Sequence, residues 1–249
     1  MKKPLILVVR EFDEFTRLLN KNGSEVINFP AIKTLPIEDG SELLKRIDSL
    51  KNYDGLFFTS PKAAEVFLQN FENKKEGDFR GKVYILGKRT KILFENSNFE
   101  IAFRADVNTA EEFINSFGMR EFAGRRFLFL RGDKSLRAIP ELLNGRAIID
   151  EVVVYQTVEN SIDENSFSEI GDKIRGGEIK WICFFSPSGV ESFIRKFGKT
   201  LLNNIKIAAI GTTTAKKTIE NNLTVEFISS KANAEDFAFE LIEYIKIFE

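Results

Sequence analysis

Two similar stretches of sequence, about half a chain apart, determine how this protein of 249 residues is organised. The first is FFTSPKAAEVF at Phe57–Phe67, and the second is FFSPSGVESF at Phe184–Phe193. Their serine-proline pairs begin at Ser60 and Ser186, which lie 126 residues apart. Because self-similarity at a fixed spacing is typical of a duplicated fold, further matches are expected at a similar spacing.

Three more pairs of segments match in the same order along the chain. They are ILGKRTKIL with AIGTTTAKK, NTAEEF with NAEDF, and LILVVR with FLFLR. The matched residues are Gly87 with Gly211, Phe113 with Phe237, and Arg10 with Arg131, at spacings of 124, 124 and 121 residues. Small changes in spacing are what loop insertions produce, so the chain is predicted to contain two copies of one fold.

The composition is that of an ordinary globular protein, with 43% hydrophobic and 29% charged residues. The formal net charge is −1 at pH 7, so overall basicity does not indicate a nucleic-acid partner and none is expected. Near the start, only the five residues Leu5–Val9 form an apolar run before Arg10, too short for a secretory signal or a membrane span. We therefore expect no membrane partner and a cytoplasmic location.

The absence of histidine from the sequence restricts its chemistry more than any other feature of composition. It excludes Ser-His-Asp and Cys-His catalysis, histidine-ligated zinc, and the usual general base at neutral pH. The single cysteine, Cys183, lies in the apolar run WICFF, and we interpret it as a small buried hydrophobic residue. No metal site and no cofactor are expected.

Short runs of branched and aromatic residues alternate with segments of helical periodicity, which predicts an α/β fold with parallel sheets flanked by helices. Each predicted strand ends in a polar turn that also resembles a helix start. Ser60 and Ser186 are N-cap residue types followed by proline, and Thr109 with Glu112 forms a capping box. Carboxyl ends of strands therefore meet helix N-termini, where open sheets bind ligands.

Several of these segments together resemble the uroporphyrinogen-III synthase family over essentially the whole chain. They are the two serine-proline stretches, LRGDKSLRAIPELL running into VVVYQTV, and IAAIGTTTAKKT. The resemblance implies two similar α/β domains joined by a two-stranded β-ladder. Domain one would comprise residues 1–34 and 158–249, and domain two residues 36–156. The segments Asn28–Glu38 and Asp150–Asn160 would be the two crossings between them.

The resemblance also implies a function, that of a lyase of tetrapyrrole, porphyrin and heme biosynthesis. The substrate would be hydroxymethylbilane, a linear tetrapyrrole that carries many carboxylates. It would lose its hydroxyl group to give an azafulvene, and a spiro intermediate would rearrange so that the last pyrrole ring is inverted in uroporphyrinogen III. Such a reaction depends on orientation and needs no histidine, metal or cofactor. A monomer is expected.

Candidate site residues follow from matching the family motifs to this sequence. The match implies cleft residues at Ser60, Thr90, Ser186, Ser188, Gly189, Thr213 and Thr214. Arg10 and Arg137 are candidate partners of the substrate carboxylates, or else solvated surface arginines. Tyr155 in VVVYQTV matches the family's tyrosine and is the predicted catalytic residue, although a tyrosine on a β-rich segment is ordinarily a packing residue.

The sequence is also compatible with two other interpretations. A non-catalytic two-domain clamp that closes on a small polyanion would bind the same ligand without turning it over. A phosphosugar or nucleotide enzyme on the same architecture is disfavoured, because no G-x-G-x-x-G or Walker phosphate loop follows any predicted strand.

Overall fold

The computed structural model of the chain describes residues 4–71, 79–161, 163–202 and 204–248. Its strands are β1 (Leu5–Val8), β2 (Glu25–Asn28), β3 (Ile32–Pro36), β4 (Gly55–Phe58), β5 (Lys82–Ile85), β6 (Glu100–Phe103), β7 (Arg126–Gly132), β8 (Ile148–Glu159), β9 (Ile179–Phe184), β10 (Lys206–Ala209) and β11 (Phe227–Ile228). Its α-helices are α1 (Glu14–Lys21), α2 (Ser41–Asp48), α3 (Pro61–Phe71), α4 (Lys88–Ile92), α5 (Ala110–Phe117), α6 (Ala138–Leu142), α7 (Glu164–Arg175), α8 (Pro187–Phe197), α9 (Thr212–Glu220) and α10 (Ala234–Phe248). Strands and helices alternate along most of the chain, as the sequence predicts.

The chain forms two compact units, and one of them is discontinuous in sequence. Unit 1 comprises Met1–Lys33 and Val158–Glu249, and unit 2 comprises Thr34–Thr157. The first sequence copy therefore contributes β1 and β2 to unit 1 but β4, β5 and β6 to unit 2. The division into units does not follow the division into sequence copies.

Each unit is built on a sheet whose strands occupy equivalent positions. The order in unit 1 is β11-β10-β9-β1-β2, and that in unit 2 is β6-β5-β4-β7-β8, followed by β3. The five equivalent strands run parallel in both sheets. Three sequence matches pair strands at the same sheet position: β9 with β4, β10 with β5, and β1 with β7. The fourth pairs helices α10 and α5, which follow β11 and β6. The predicted duplication is thus present in the three-dimensional fold.

Both faces of each sheet are buried, because helices cover both sides of a parallel sheet. In β1, Leu7 packs into one core of unit 1, whereas Ile6 and Val8 pack into the other. In β4, Leu56 and Phe58 belong to one core of unit 2 and the core on the opposite face contains Phe57. Alternation of side chains along a strand accounts for this division, and it explains why the strand sequences are apolar throughout.

Strands β3 and β8, which connect the two units along the chain, are neighbours in the sheet order. The N–H of Ile37 donates to the carbonyl of Val154 at 3.1 Å, and the N–H of Asn160 donates to the carbonyl of Ala31 at 3.0 Å. The residue numbers of the paired positions run in opposite directions along β3 and β8, so the two strands are antiparallel. These are the segments that the sequence predicts as a two-stranded ladder.

Candidate functional site

The carboxyl ends of the strands lie together at one edge of each sheet, because the strands are parallel. The order along the chain changes direction between β1 and β9 in unit 1, and between β4 and β7 in unit 2. In open α/β sheets, ligands bind outside the carboxyl ends at this switch point. Within each unit, the predicted site residues lie just beyond these strand ends or close to them.

Ser186 caps helix α8 in unit 1. Its side chain accepts a hydrogen bond from the N–H of Gly189 at 3.0 Å, and its hydroxyl lies 3.2 Å from that of Ser188. A Cβ on Gly189 would lie 3.2 Å from the Ser186 hydroxyl and 3.8 Å from a methyl group of Val9. The helix start therefore packs closely against the end of β1, and the predicted residues Ser186, Ser188 and Gly189 form one turn.

Helix α9 begins without a side-chain cap. Gly211 occupies the N-cap position, and the first intrahelical bond runs from the N–H of Ala215 to the Gly211 carbonyl. The preceding N–H groups, from Thr212 to Thr214, have no intrahelical partner, as is usual for a first helical turn. Thr213 is exposed, but Thr214 is 3% exposed and its carbonyl accepts from Thr218. Any contact between Thr214 and a ligand would therefore use its backbone.

Arg10 follows β1 and is held by two neighbours. Its guanidinium lies 3.1 Å from a carboxylate oxygen of Asp13 and 4.3 Å from the ring centroid of Phe185. Asp13 also caps helix α1, because its other oxygen accepts from the N–H of Phe15 at 3.1 Å. An arginine stacked on an aromatic ring and paired with a carboxylate is oriented before any ligand arrives.

In unit 2, Ser60 and Thr90 follow β4 and β5. The Ser60 side chain accepts from the N–H of Ala63 at 3.4 Å, a longer bond than the equivalent bond of Ser186. Thr90 lies in helix α4 after Gly87, whose φ of 98° favours glycine. Its side chain is 1% exposed, so Thr90 packs inside unit 2 and would meet a ligand only through its backbone.

Arg137, the second predicted carboxylate partner, is exposed and already pairs with Glu151 on β8. Glu151 also accepts from Arg131 at 2.7 Å, so two guanidinium groups share one carboxylate. The hydrogen bond from Arg137, together with the charge of Arg131, lowers the pKa of Glu151 below its usual value. The group carries one net positive charge, which suits it to a second carboxylate from a ligand.

Tyr155 lies on β8 with its ring against Gly132 of β7. The side chain is 8% exposed and joins one core of unit 2, together with Val152 and Val154. Its hydroxyl makes no hydrogen bond to any residue that the structure describes. The hydroxyl oxygen is not completely enclosed by protein. The ring is thus a packing group, while the hydroxyl remains available to a ligand.

Other features of the described residues do not indicate a competing site. Two cavities of about 440 and 340 Å³ lie at the amino ends of the strands, beside Asp54 and Lys82 in unit 2 and Ile179 in unit 1. Among the described residues, no group of three or more acidic or cysteine side chains is arranged to hold a metal ion. Cys183 is fully buried, and burial raises the pKa of its thiol, so it is unsuited to act as a nucleophile.

The described helices include none with the length and apolar character that crossing a membrane requires.

Four residues of the site edges were not found from the sequence. Asp13 and Phe185 orient Arg10, Glu151 joins two arginines, and Gly132 receives the ring of Tyr155. The sequence LRGD offered a weak signal for Gly132, because a glycine at the end of a strand often marks a close approach. Asp13 also had a local signal, because it is an N-cap residue type three residues from Arg10. Phe185 and Glu151 depend on contacts that no local pattern specifies.

Comparison with known proteins identifies the family of the chain. The family model described as uroporphyrinogen-III synthase HemD matches residues 13–238. A protein of Chlorobaculum parvum named uroporphyrinogen-III synthase is 28% identical over 240 residues, covering 93% of this chain and 94% of that protein. The match thus extends over both units, which excludes a resemblance confined to one sheet.

Solved structures show the same fold. The uroporphyrinogen-III synthetase of Helicobacter pylori has a TM-score of 0.64 at 17% identity, covering 98% of this chain and 99% of that one. A mutant uroporphyrinogen III synthase of Thermus thermophilus has a TM-score of 0.62 at 14% identity, with the same coverage. These likenesses concern the fold, and the family model concerns the sequence of most of the chain. The chain belongs to the uroporphyrinogen-III synthase family.

Proposed function

We propose that this chain cyclises hydroxymethylbilane to uroporphyrinogen III, with inversion of the last pyrrole ring and loss of water. The observation that carries the proposal is Tyr155, which matches the family's tyrosine and keeps its hydroxyl unbonded at the carboxyl edge of unit 2. The family match favours this enzyme over a clamp that only binds. We place the activity in the cytoplasm and assign it to a monomer.

The substrate's carboxylates would bind at the helix starts and at the arginines. Each N-terminal turn offers backbone N–H groups and the positive end of the helix dipole, worth about 0.3–1 kcal/mol per carboxylate near the surface. The uncapped start of α9, with Thr213 and Thr214, suits this role, as do the starts at Ser186 and Ser60. Several weak sites of this kind hold a polyanion without a high net charge.

Arg10 and Arg137 would add charge-assisted bonds to this set. Arg10 is already oriented by Asp13 and Phe185, and Arg137 belongs to a group of two arginines and one carboxylate. A guanidinium presents a planar fork that matches a carboxylate, so both residues suit the side chains of a tetrapyrrole. Ser188, Gly189 and Thr90 would contribute through the shape and backbone of their turns.

Tyr155 would assist departure of the substrate's hydroxyl group as the azafulvene forms. A phenol O–H can donate a hydrogen bond or a proton, and the sequence contains no histidine to compete for this role. The leaving group departs readily, so the expected contribution is at the low end of about 10²–10⁴-fold for a positioned acid. Most of the selectivity would come from holding the chain bent, so that the substituted carbon of the last ring is nearest.

Units 1 and 2 would be the family's two domains, with 1–34 and 158–249 as domain one and 36–156 as domain two. The proposal is supported by two parallel sheets of equivalent strand order, each with polar residues at its carboxyl edge. Orientation by two such edges needs no metal or organic cofactor.

The test is incubation of the purified chain with freshly prepared hydroxymethylbilane, followed by separation of the type I and type III isomers. We expect type III product at a rate above the uncatalysed formation of type I, and the same rate after exhaustive chelation. Binding of the substrate with only type I product would support the clamp and overturn the proposal. Loss of activity on chelation, restored by one particular metal, would show that the reaction needs that metal.

A further inference from the structure

Gly132, at the end of β7, lies directly against the ring of Tyr155. We propose that Gly132 is a positioning residue, which sets the place of the Tyr155 hydroxyl together with an irregularity in the β7–β8 pairing. The inference rests on the proposed function of Tyr155. It concerns a residue that would touch neither the substrate nor the reacting atoms.

The space above Gly132 is filled by the tyrosine ring. A Cβ at Gly132 would lie 2.4 Å from Cζ, 2.5 Å from Cε2 and 2.7 Å from the hydroxyl oxygen of Tyr155. Carbon atoms in contact ordinarily lie about 3.5–4.0 Å apart, so any other residue would require a shift of about 1 Å. Gly132 is not among the glycines of positive φ, so the ring, and not the backbone conformation, requires a glycine here.

The register between β7 and β8 brings the ring to this place. Arg131 pairs with Val153, but the next residue, Gly132, pairs with Tyr155, so Val154 is an extra residue in β8. A bulge of this kind changes the direction of the following side chain, and bulges are common beside active sites. As a result Val154 and Tyr155, which are adjacent in sequence, both join the same core.

The backbone on both sides of the contact is fixed, so the ring must yield if Gly132 is replaced. The N–H of Gly132 donates to the Ser135 hydroxyl at 3.0 Å, and its carbonyl accepts from Arg131 at 2.9 Å. The N–H of Asp133 donates to the carbonyl of Tyr155 at 3.0 Å, and a carboxylate oxygen of Asp133 accepts from the N–H of Thr157 at 2.8 Å. A larger residue would therefore displace the phenol and its hydroxyl.

The experiment is a double-mutant cycle with Gly132→Ala and Tyr155→Phe. Misplacing a reacting group by about 1 Å can cost 10²-fold, and a residue that acts only through the hydroxyl cannot cost more than the hydroxyl contributes. We expect Gly132→Ala to lower turnover by about tenfold, and by no more than Tyr155→Phe does, and to lower it less than about twofold in the Tyr155→Phe background. Gly40→Ala is the matched control, because a Cβ there meets nothing within 4 Å and φ is −75°.

Stability provides the second measurement, because a purely structural glycine would give a different pattern. Phenylalanine keeps Cζ and Cε2, the two atoms nearest to the added Cβ, so Gly132→Ala should lower the urea midpoint in the Tyr155→Phe background as well as in the wild type. It should cause no shift in a Tyr155→Leu background, where the ring is absent. The stability measurement in the Tyr155→Leu background remains informative if the single variant Gly132→Ala does not fold.

Three outcomes would overturn the inference. The first is wild-type turnover in Gly132→Ala, and the second is an undiminished further loss of turnover in the Tyr155→Phe background. The third is an equal loss of stability in the Tyr155→Leu background, which would show that the backbone alone requires glycine. Failure of the wild-type chain to make type III product would instead refute the proposed function, while the stability measurements would still test the contact.

Discussion

The carboxyl edges of the two sheets differ in how they use their polar groups, although their strands occupy equivalent positions. In unit 1, Asn28 at the end of β2 donates to the hydroxyl of Thr16 at 2.9 Å and to the carbonyl of Arg10 at 3.2 Å. In unit 2, Tyr155 on the equivalent strand β8 makes no side-chain hydrogen bond to a described residue. Asn28 is thus bonded to helix α1 and to the backbone of Arg10, whereas the hydroxyl of Tyr155 has no partner among the described residues.

The arginines of the two units also differ in how they pair with carboxylates. In unit 1, Arg10 pairs with Asp13 from its own loop. In unit 2, Glu151 from a strand serves both Arg131 and Arg137. The first arrangement is a local pair, and the second is a network with one cation in excess. Under the proposed function, unit 1 would hold part of the ligand, and unit 2 would combine binding with proton donation by Tyr155.

The largest expected effect is that of Tyr155→Phe, which removes the hydroxyl that distinguishes unit 2. Turnover should fall by about tenfold to a hundredfold, equivalent to about 1.4–2.7 kcal/mol in the barrier. The type III isomer should still form, because the ring and the orientation of the substrate are retained. The measurement is the initial rate of type III formation, with the fold verified by circular dichroism. Wild-type turnover in this variant would make Tyr155 a packing residue and remove the functional difference between the edges.

The next effect is that of Glu151→Gln, which leaves two arginines without their shared charge. We expect a loss of about 1–2 kcal/mol in the free energy of unfolding at pH 7, since bonds to charged groups are worth about 1.5–3 kcal/mol and these are partly exposed. The pKa of Glu151 is lowered in the folded state, so its stabilising effect is complete above the ordinary value of 4.5 and is lost as the pH falls below it.

The difference in the free energy of unfolding between wild type and Glu151→Gln should therefore be smaller at about pH 4 than at pH 7. Urea unfolding followed by far-ultraviolet circular dichroism at both pH values measures it. Glu65→Gln is the control, because Glu65 forms a single, partly exposed pair with Lys62, and such pairs are worth little. A difference that is constant with pH, or equal to that of the control, would contradict the shared-charge network.

The smallest effects are those of Ser186→Ala and Ser60→Ala, which compare the two serine-proline turns directly. Loss of a serine N-cap costs about 0.5–2 kcal/mol, and we expect about 1 kcal/mol for Ser186. Ser60→Ala should cost about half of this free energy or less, because the hydrogen bond to the Ser60 hydroxyl is 3.4 Å long, whereas the bond to Ser186 is 3.0 Å. Activity should change by no more than about threefold in either variant, because backbone N–H groups remain at both turns.

The only tryptophan, Trp181, lies on β9 and reports on unit 1, so its fluorescence follows the Ser186 variant during urea unfolding. Circular dichroism, which reports on the helices of both units, follows the Ser60 variant. A larger loss of stability for Ser60→Ala than for Ser186→Ala would contradict the expected order of the two turns. Complete loss of activity in either variant, with the fold intact, would indicate side-chain chemistry at that turn.

Some features of the site could be predicted because they depend on residues a few positions apart. The N-cap at Ser186 and the capping box of Thr109 and Glu112 are both present, since each is a contact across three residues. Thr90 and Thr214 show the limit of this reasoning. Both lie at the expected helix starts, but their side chains are 1% and 3% exposed, because helix packing decides which side faces inward.

The sequence by itself determined the duplication, the α/β class and the order of strands and helices, because apolar periodicity and turn residues are local properties repeated at a constant spacing. It also located the turns that carry the candidate site. Only the tertiary structure decided that Glu151 joins two arginines and that Tyr155 rests on Gly132. Those contacts depend on the register between β7 and β8, where a single extra residue changes which side chains meet.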